Sequence, residues 1–283
     1  MNATSTFIYN NHNFHFIKNI LQFFVGITLL LLTGADMDLM KVVLATIGFV
    51  VAYQSVYSLN DISDLSEDRS DKIKRMIKPL ARGERSIEDQ VGRMFLYLVI
   101  GLSFSFYVNI FFGFIMVLLL FFNFLHSYRP LGLKKTPLSL VNIIFIEAIK
   151  FSAGWLAVGG DFFKIPYFVI FAISGAYTLS YVVYKNNIEL SSMLKKRSLL
   201  ISAMVLISYL ASLFLYKNLR LTLFGVVIIL LFPYLMKREN EVESKFRSAF
   251  FFTFFILLVF NILNIISLYE PFASINLWLA SLF

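Results

Sequence analysis

Apolar runs long enough to span a bilayer recur along the whole chain, with no polar stretch between them long enough to fold separately. A hydrocarbon core of about 30 Å takes roughly 20 apolar residues of helix. Within it every backbone N–H and C=O must be paired inside the segment, which leaves helices as the solution for runs of this length. Scanning on that basis predicts nine spans, at Ile17–Gly34, Met40–Leu59, Arg93–Ile110, Phe112–His126, Leu138–Gly159, Pro166–Tyr184, Leu199–Tyr216, Leu221–Met236 and Phe250–Leu268. The third and fourth are nearly fused, with Asn109 and Gly113 marking a turn. The expected fold is an all-α, polytopic membrane helical bundle forming a single domain over residues 1–283.

Composition supports this. The chain is 59% hydrophobic and only 15% charged, where a soluble domain is nearer a quarter charged. A net charge of +8 is a common mark of nucleic-acid binders, but here the basic residues are interleaved with the spans and are better read as topology signals, so no nucleic acid is expected. The absence of cysteine excludes disulfides, thiolate metal sites and a cysteine nucleophile. Residues Met1–Phe16 carry no Lys or Arg, unlike the basic start of a signal peptide, so the first apolar run is expected to be a retained helix.

Loop charge sets the expected orientation. Arg69, Lys72, Lys74, Arg75, Lys78, Arg82 and Arg85 follow the second span, and Arg129, Lys134 and Lys135 follow the fourth. Lys185, Lys195, Lys196 and Arg197 follow the sixth; Lys237, Arg238, Lys245 and Arg247 follow the eighth. The opposite loops offer only Lys41, Lys164, Lys217 and Arg220. By the positive-inside rule the N-terminus and the even-numbered loops lie in the cytoplasm, and nine spans put the C-terminus outside.

The stretch richest in chemistry closes the second span. Asp61, Asp64 and Asp68 stand at i, i+3 and i+7, with Asn60 four residues before Asp64, so on a continuous helix their oxygens share one face. Carboxylates converging in this way repel one another unless a cation neutralises them. Mg²⁺ is commonly held by one or two such carboxylates, with water and substrate phosphate completing its shell. A solvated helix end would account for one or two of these acids, but less well for Leu59, Ile62 and Leu65 staying apolar between them. A basic loop follows, punctuated by Pro79 and Gly83, in which Lys72, Lys74 and Lys78 are candidate donors to a metal-bound diphosphate. In the fifth span Glu147 and Lys150 lie one turn apart in an apolar run. Charge at that depth is expensive and usually faces a partner or a cavity, so Lys150 is either half of a neutralising pair or a phosphate contact.

These residues resemble the UbiA superfamily of intramembrane prenyltransferases. Its first signature, Asn-Asp-x-x-Asp-x-x-x-Asp, is matched completely by Asn60, Asp61, Asp64 and Asp68. The family continues with Asp-Arg and then Arg-Pro-Ile-Ala-x-Gly; here Asp68-Arg69 and Lys78-Pro79-Leu80-Ala81-Arg82-Gly83 stand, with Lys78 replacing the arginine. The segment His126–Pro137, containing Arg129, Lys134 and Lys135, is similar to the family's Tyr-Ser-x-x-Pro-x-x-Leu-Lys-x-x-Pro, with His126 in place of the tyrosine. The second signature thins. Tyr181 and Lys185 keep the Tyr-x-x-x-Lys pattern, but the acids expected beyond it are Glu189 and, where the second should stand, Met193.

The resemblance implies a Mg²⁺-dependent transferase that takes a prenyl or polyprenyl group from its diphosphate to an acceptor, within the lipid bilayer of a bacterial or archaeal plasma membrane. It implies that Asp61, Asp64, Asp68 and Lys185 carry the catalysis. Asn60, Asp61, Asp64, Asp68 and Glu189 would hold the metal; Asn60, Lys72, Lys74, Lys78, Arg129, Lys134, Lys150 and Tyr181 would meet the substrate. Two alternatives stand beside it. Lys185-Asn-Asn-Ile-Glu189-Leu190 is similar to a pattern in decaprenyl-phosphate phosphoribosyltransferases, which implies transfer from phosphoribosyl diphosphate to a polyprenyl phosphate. A non-enzymatic, cation-binding transporter is the reading from another class, though no paired Gly/Pro-broken helices are evident.

Overall fold

A computed structural model describes residues 19–128, 132, 133, 136, 138–184, 204, 206–208, 210 and 211, with side chains described as far as residue 178 in the last long helix. The helices are α1 (Asn19–Leu31), α2 (Leu39–Ser63), α3 (Leu65–Ser70), α4 (Lys72–Ile77), α5 (Pro79–Arg82), α6 (Ile87–Val108), α7 (Ile110–Ser127), α8 (Ser139–Ala157) and α9 (Tyr167–Tyr184). No strand occurs among the described residues. Four of these helices, α2, α6, α7 and α8, are long and apolar enough to cross a membrane, and α1 and the Tyr167–Thr178 stretch of α9 are shorter apolar segments. They coincide with the first six predicted spans; the seventh to ninth lie almost wholly outside the described residues.

Capping explains where the ends fall. Asp38 opens α2 by accepting hydrogen bonds from the backbone N–H groups of Met40 (2.9 Å) and Lys41 (3.3 Å). The near-fused pair divides at Asn109, which is fully extended (φ −165°) and whose side chain accepts from the N–H groups of Phe111 and Phe112, so one residue ends α6 and caps α7. Helix α6 begins six residues before the predicted Arg93, because Ser86 caps it at Asp89 N–H and the acids of the first turn sit favourably at a helix N-terminus.

Helix α8 is the most buried of the four long helices, with nearly every residue inside. Apolar burial drives association only weakly between helices in lipid, so close backbone contact has to supply much of it. A Cβ on Gly26 would fall 1.8 Å from the Phe151 carbonyl oxygen, and one on Gly154 would fall 1.9 Å from that of Phe23. Only glycine permits this approach of α1 to α8. Gln22 with Lys150 and Gly26 with Gly154 keep one offset along the two helices, so α1 and α8 run parallel, as first and fifth spans must. Helices α2 and α6 approach as closely, Gly101 against Ala52 and Gly48 against Ser105; here the pairs step in opposite directions, as consecutive spans require. Phe95, Leu96 and Val99 of α6 and Phe111, Phe114 and Phe121 of α7 point away from the bundle, the expected lipid surface.

Candidate active site

The acidic motif sits where α2 gives way to three short helices. The helix does not run through it unbroken. Asp64 leaves the helical conformation (φ −92°, ψ 3°) and joins α2 to α3, while the backbone bonds Asp64 N–H to Asn60 O and Asp68 N–H to Asp64 O carry the ladder across at 2.9 Å each. Asn60, Asp61 and Asp64 are half-buried, and Asp68 is 1% exposed.

The basic loop is more ordered than the sequence suggested. Asp71 caps α4 by accepting from the N–H groups of Ile73 (2.9 Å) and Lys74 (3.1 Å), and these bonds, the Lys74 N–H first, hold its carboxyl below the usual carboxylate range. Pro79 starts α5 and, by its ring, keeps Lys78 extended (φ −86°, ψ 116°). That bend lets the Lys78 side chain reach the acids. Its ammonium donates to Asp68 Oδ2 at 2.7 Å and pairs with Asp61 Oδ1 at 2.8 Å. Burial pulls the Lys78 pKa down, but the Asp61 charge and the hydrogen bonds to Asp61 and Asp68 outweigh it, leaving the ammonium above the ordinary lysine value. Lys74 Nζ lies 3.2 Å from Asp68 Oδ1, yet outside hydrogen-bonding geometry, so that buried oxygen has no donor among the described residues. Lys72, on the first turn of α4, is exposed and pairs with no acid among the described residues.

Two of the three predicted acids therefore converge on one cation, and the cation is Lys78. No group of three His, Cys, Asp or Glu side chains stands close enough to share a metal ion among the described residues. The donor set nonetheless fits a hard divalent cation: two carboxylate oxygens close on a single positive centre, and a third, Asp68 Oδ1, is buried without a donor. Arg129, Lys134, Lys185 and Glu189 lie outside the described residues, as does the side chain of Tyr181, whose backbone belongs to α9.

A second polar cluster lies in the apolar interior, walled by α1, α2 and α8. Lys150 is 2% exposed and its ammonium donates to Asn19 Oδ1 (2.9 Å), Gln22 Oε1 (3.2 Å) and Glu147 Oε1 (2.9 Å). Gln22 Nε2 donates in turn to Glu147 Oε2, and Asn19 Nδ2 donates to the Tyr57 hydroxyl at 2.6 Å. The Tyr53 ring faces the ammonium, its centroid 5.2 Å away. As placed, Lys150 has no donor left for a phosphate. The sequence reading missed Asn19, Gln22, Tyr53 and Tyr57; polar side chains inside apolar spans were the available signal. It also passed over Gln90, a buried residue on the face of α6 that carries Gly101 and Ser105, at the level where α2 ends. Gln90 Oε1 has no donor among the described residues.

A family profile described as the UbiA prenyltransferase family matches residues 20–259. The chain belongs to this family. Membership makes it an integral membrane prenyltransferase and agrees with the signature at Asn60–Asp68. Among solved structures, a UbiA homolog from Archaeoglobus fulgidus bound to DMAPP and Mg²⁺ is similar with a TM-score of 0.71 at 15% identity, covering 87% of this chain and 95% of that one. A UbiA homolog from Aeropyrum pernix K1 without ligand gives 0.63 at 13%, covering 89% and 98%. A structure concerning digeranylgeranylglyceryl phosphate synthase gives 0.57 at 18%, covering 88% and 97%. No curated protein sequence matches significantly. At these identities the structures establish the UbiA fold for this chain.

Proposed function

We propose that this UbiA-family protein transfers a prenyl or polyprenyl group from its diphosphate to an acceptor, with Mg²⁺ held at the end of α2. The observation carrying the reading is the convergence of Asp61 Oδ1 and Asp68 Oδ2 on one cationic centre beside an undonated buried oxygen of Asp68. The Archaeoglobus fulgidus homologs bound to Mg²⁺ with DMAPP or GPP support prenyl diphosphate as the donor. The phosphoribosyl alternative rests on residues 185–190, outside the described residues, and has no such support.

In this reading Asp61, Asp64 and Asp68 hold the metal, with Asn60 and Glu189 completing its protein ligands. Bound there, Mg²⁺ supplies neutralisation of the charge that develops on the departing diphosphate. The chain's own cations do the same from the other side. Lys72 and Lys74 stand on α4, exposed, and Lys74 already lies beside Asp68. Arg129, Lys134, Lys185 and the Tyr181 hydroxyl are the proposed contacts from the other cytoplasmic segments. Preorganised donors aimed at developing charge are usually the largest single contribution to such a reaction. The prenyl chain lies between apolar helices, where exclusion of water protects the allyl cation until the acceptor attacks it. Lys150 belongs to the scaffold: its bonds to Asn19, Gln22 and Glu147 fix α1 against α8. The orientation proposed is the one set by loop charge, with the acidic end of α2 on the cytoplasmic side.

The test is Asp61→Asn and Asp64→Asn in purified, monodisperse protein. Each should cut metal-dependent prenyl transfer by about a hundredfold or more, the scale of losing a main electrostatic contact in the transition state. Near-parental turnover in both, or full activity in a chelator, refutes the assignment.

A further inference from the structure

Two of the three acids at the end of α2 are already neutralised by the chain itself. Asp61 and Asp68 carry two negative charges, and the ammonium groups of Lys78 and Lys74 lie 2.7 to 3.2 Å from their oxygens. A divalent ion entering between the same oxygens would add two positive charges beside these two, an arrangement Coulomb repulsion disfavours at such distances. An ammonium that already occupies the position between these oxygens has to leave. Lys74 is half exposed and touches one oxygen of one acid; Lys78 is largely buried and bridges both acids, taking the position where a shared metal ion would have to sit. We propose that Lys78 is the resident counter-cation of this site, and that a divalent metal binds by displacing the Lys78 ammonium from between Asp61 and Asp68.

The proposal rests on the metal site argued above and adds an exchange to it. The backbone suits it, since Lys78 sits between two short helices, held extended by Pro79, on a side chain with four rotatable bonds. Swinging the ammonium outward disturbs neither α4 nor α5. The displaced group then lies next to the metal with its donors free, which is where a diphosphate needs them. Lysine suits this better than arginine, because a point charge can move from carboxylate to phosphate without giving up a fixed bidentate geometry. Without metal the same ammonium keeps Asp61 and Asp68 from repelling one another.

The exchange is read by metal binding without substrate, using Mn²⁺, which favours the same carboxylate oxygens and is visible by electron paramagnetic resonance. Purified protein is titrated with Mn²⁺ as parent, Lys78→Met, Lys78→Gln, Lys78→Arg, Asp61→Asn and Asp68→Asn, each confirmed monodisperse. Removing the competing charge should tighten Mn²⁺ binding about tenfold in Lys78→Met and Lys78→Gln, the scale of one like charge at a partly exposed site. Lys78→Arg, which keeps the charge, should stay near the parent value. Unchanged or weaker binding in both neutral variants, or equal tightening in Lys78→Arg, overturns the exchange. Asp61→Asn and Asp68→Asn separate this failure from that of the site. If they abolish saturable binding while the neutral Lys78 variants do not tighten it, the exchange alone is wrong. If they leave binding intact, the metal lies elsewhere and the functional reading falls with the exchange.

Discussion

Replacing Lys150 by methionine removes the only cation near Glu147 among the described residues while keeping the length of the side chain. Glu147 is 4% exposed, and its Oε1 loses the ammonium at 2.9 Å. At that 2.9 Å separation and an effective dielectric of about 20, the attraction is roughly 6 kcal/mol. It is set against a desolvation cost of several kcal/mol for each ion, so the intact pair contributes little net stability. Breaking it is different, because the Glu147 charge is then buried without a cation, with only the Gln22 amide donating to it. Lys150→Met should lower the unfolding free energy by about 3–5 kcal/mol. Glu147→Gln should cost less, since the ammonium keeps Asn19 and Gln22 as acceptors. The double variant Lys150→Met/Glu147→Gln should recover at least about 2 kcal/mol of the summed single losses, the signature of two residues acting as a unit. The assay is reversible unfolding in mixed micelles followed by circular dichroism. KM for the prenyl diphosphate, measured where parent and variant are both folded, should not change. A single variant as stable as the parent, or additive losses in the double, would refute the scaffold role. A raised KM at parental stability would return Lys150 to the substrate.

A reporter active only outside the cytoplasm, fused after Gly83 or after Lys135, should be silent; activity at either position reverses the proposed orientation. Beyond α9, Glu189→Gln keeps the size and hydrogen bonding of the side chain but removes its charge, so it should raise the Mg²⁺ requirement and slow turnover more than Met193→Ala does. Met193→Asp, which restores the second acid of the family signature, should lower that requirement in the same titration. No effect of Glu189→Gln removes Glu189 from the site.

The apolar helices of the described residues were legible because burial in lipid imposes length and apolarity on each segment separately. Six predicted spans therefore coincide with helices, including the α6/α7 division, which one polar residue, Asn109, signals by capping. The short helices α4 and α5 were not legible. At six and four residues they are too brief for any periodicity, and only Asp71 and Pro79 hint at them. The acids stood out because their spacing follows the helical repeat. Their partner was not, since Lys78 reaches Asp61 and Asp68 through a bend the linear pattern does not encode. The α1–α8 network was hidden for the same reason at longer range. Glu147 and Lys150 announced themselves as charge in an apolar run, but Asn19 and Gln22 meet them only because Gly26 and Gly154 let the two backbones touch.

The most direct test of the account is a donor panel. Purified protein in lipid nanodiscs is given Mg²⁺ and, in separate reactions, labelled DMAPP, GPP, longer prenyl diphosphates and phosphoribosyl diphosphate, together with a membrane lipid extract as the source of acceptor. Transfer of label to an extractable product and release of diphosphate are both followed, with and without chelator. The account predicts metal-dependent consumption of at least one prenyl diphosphate, lost in Asp61→Asn, with phosphoribosyl diphosphate left intact. Consumption of phosphoribosyl diphosphate while every prenyl diphosphate stays intact would contradict it.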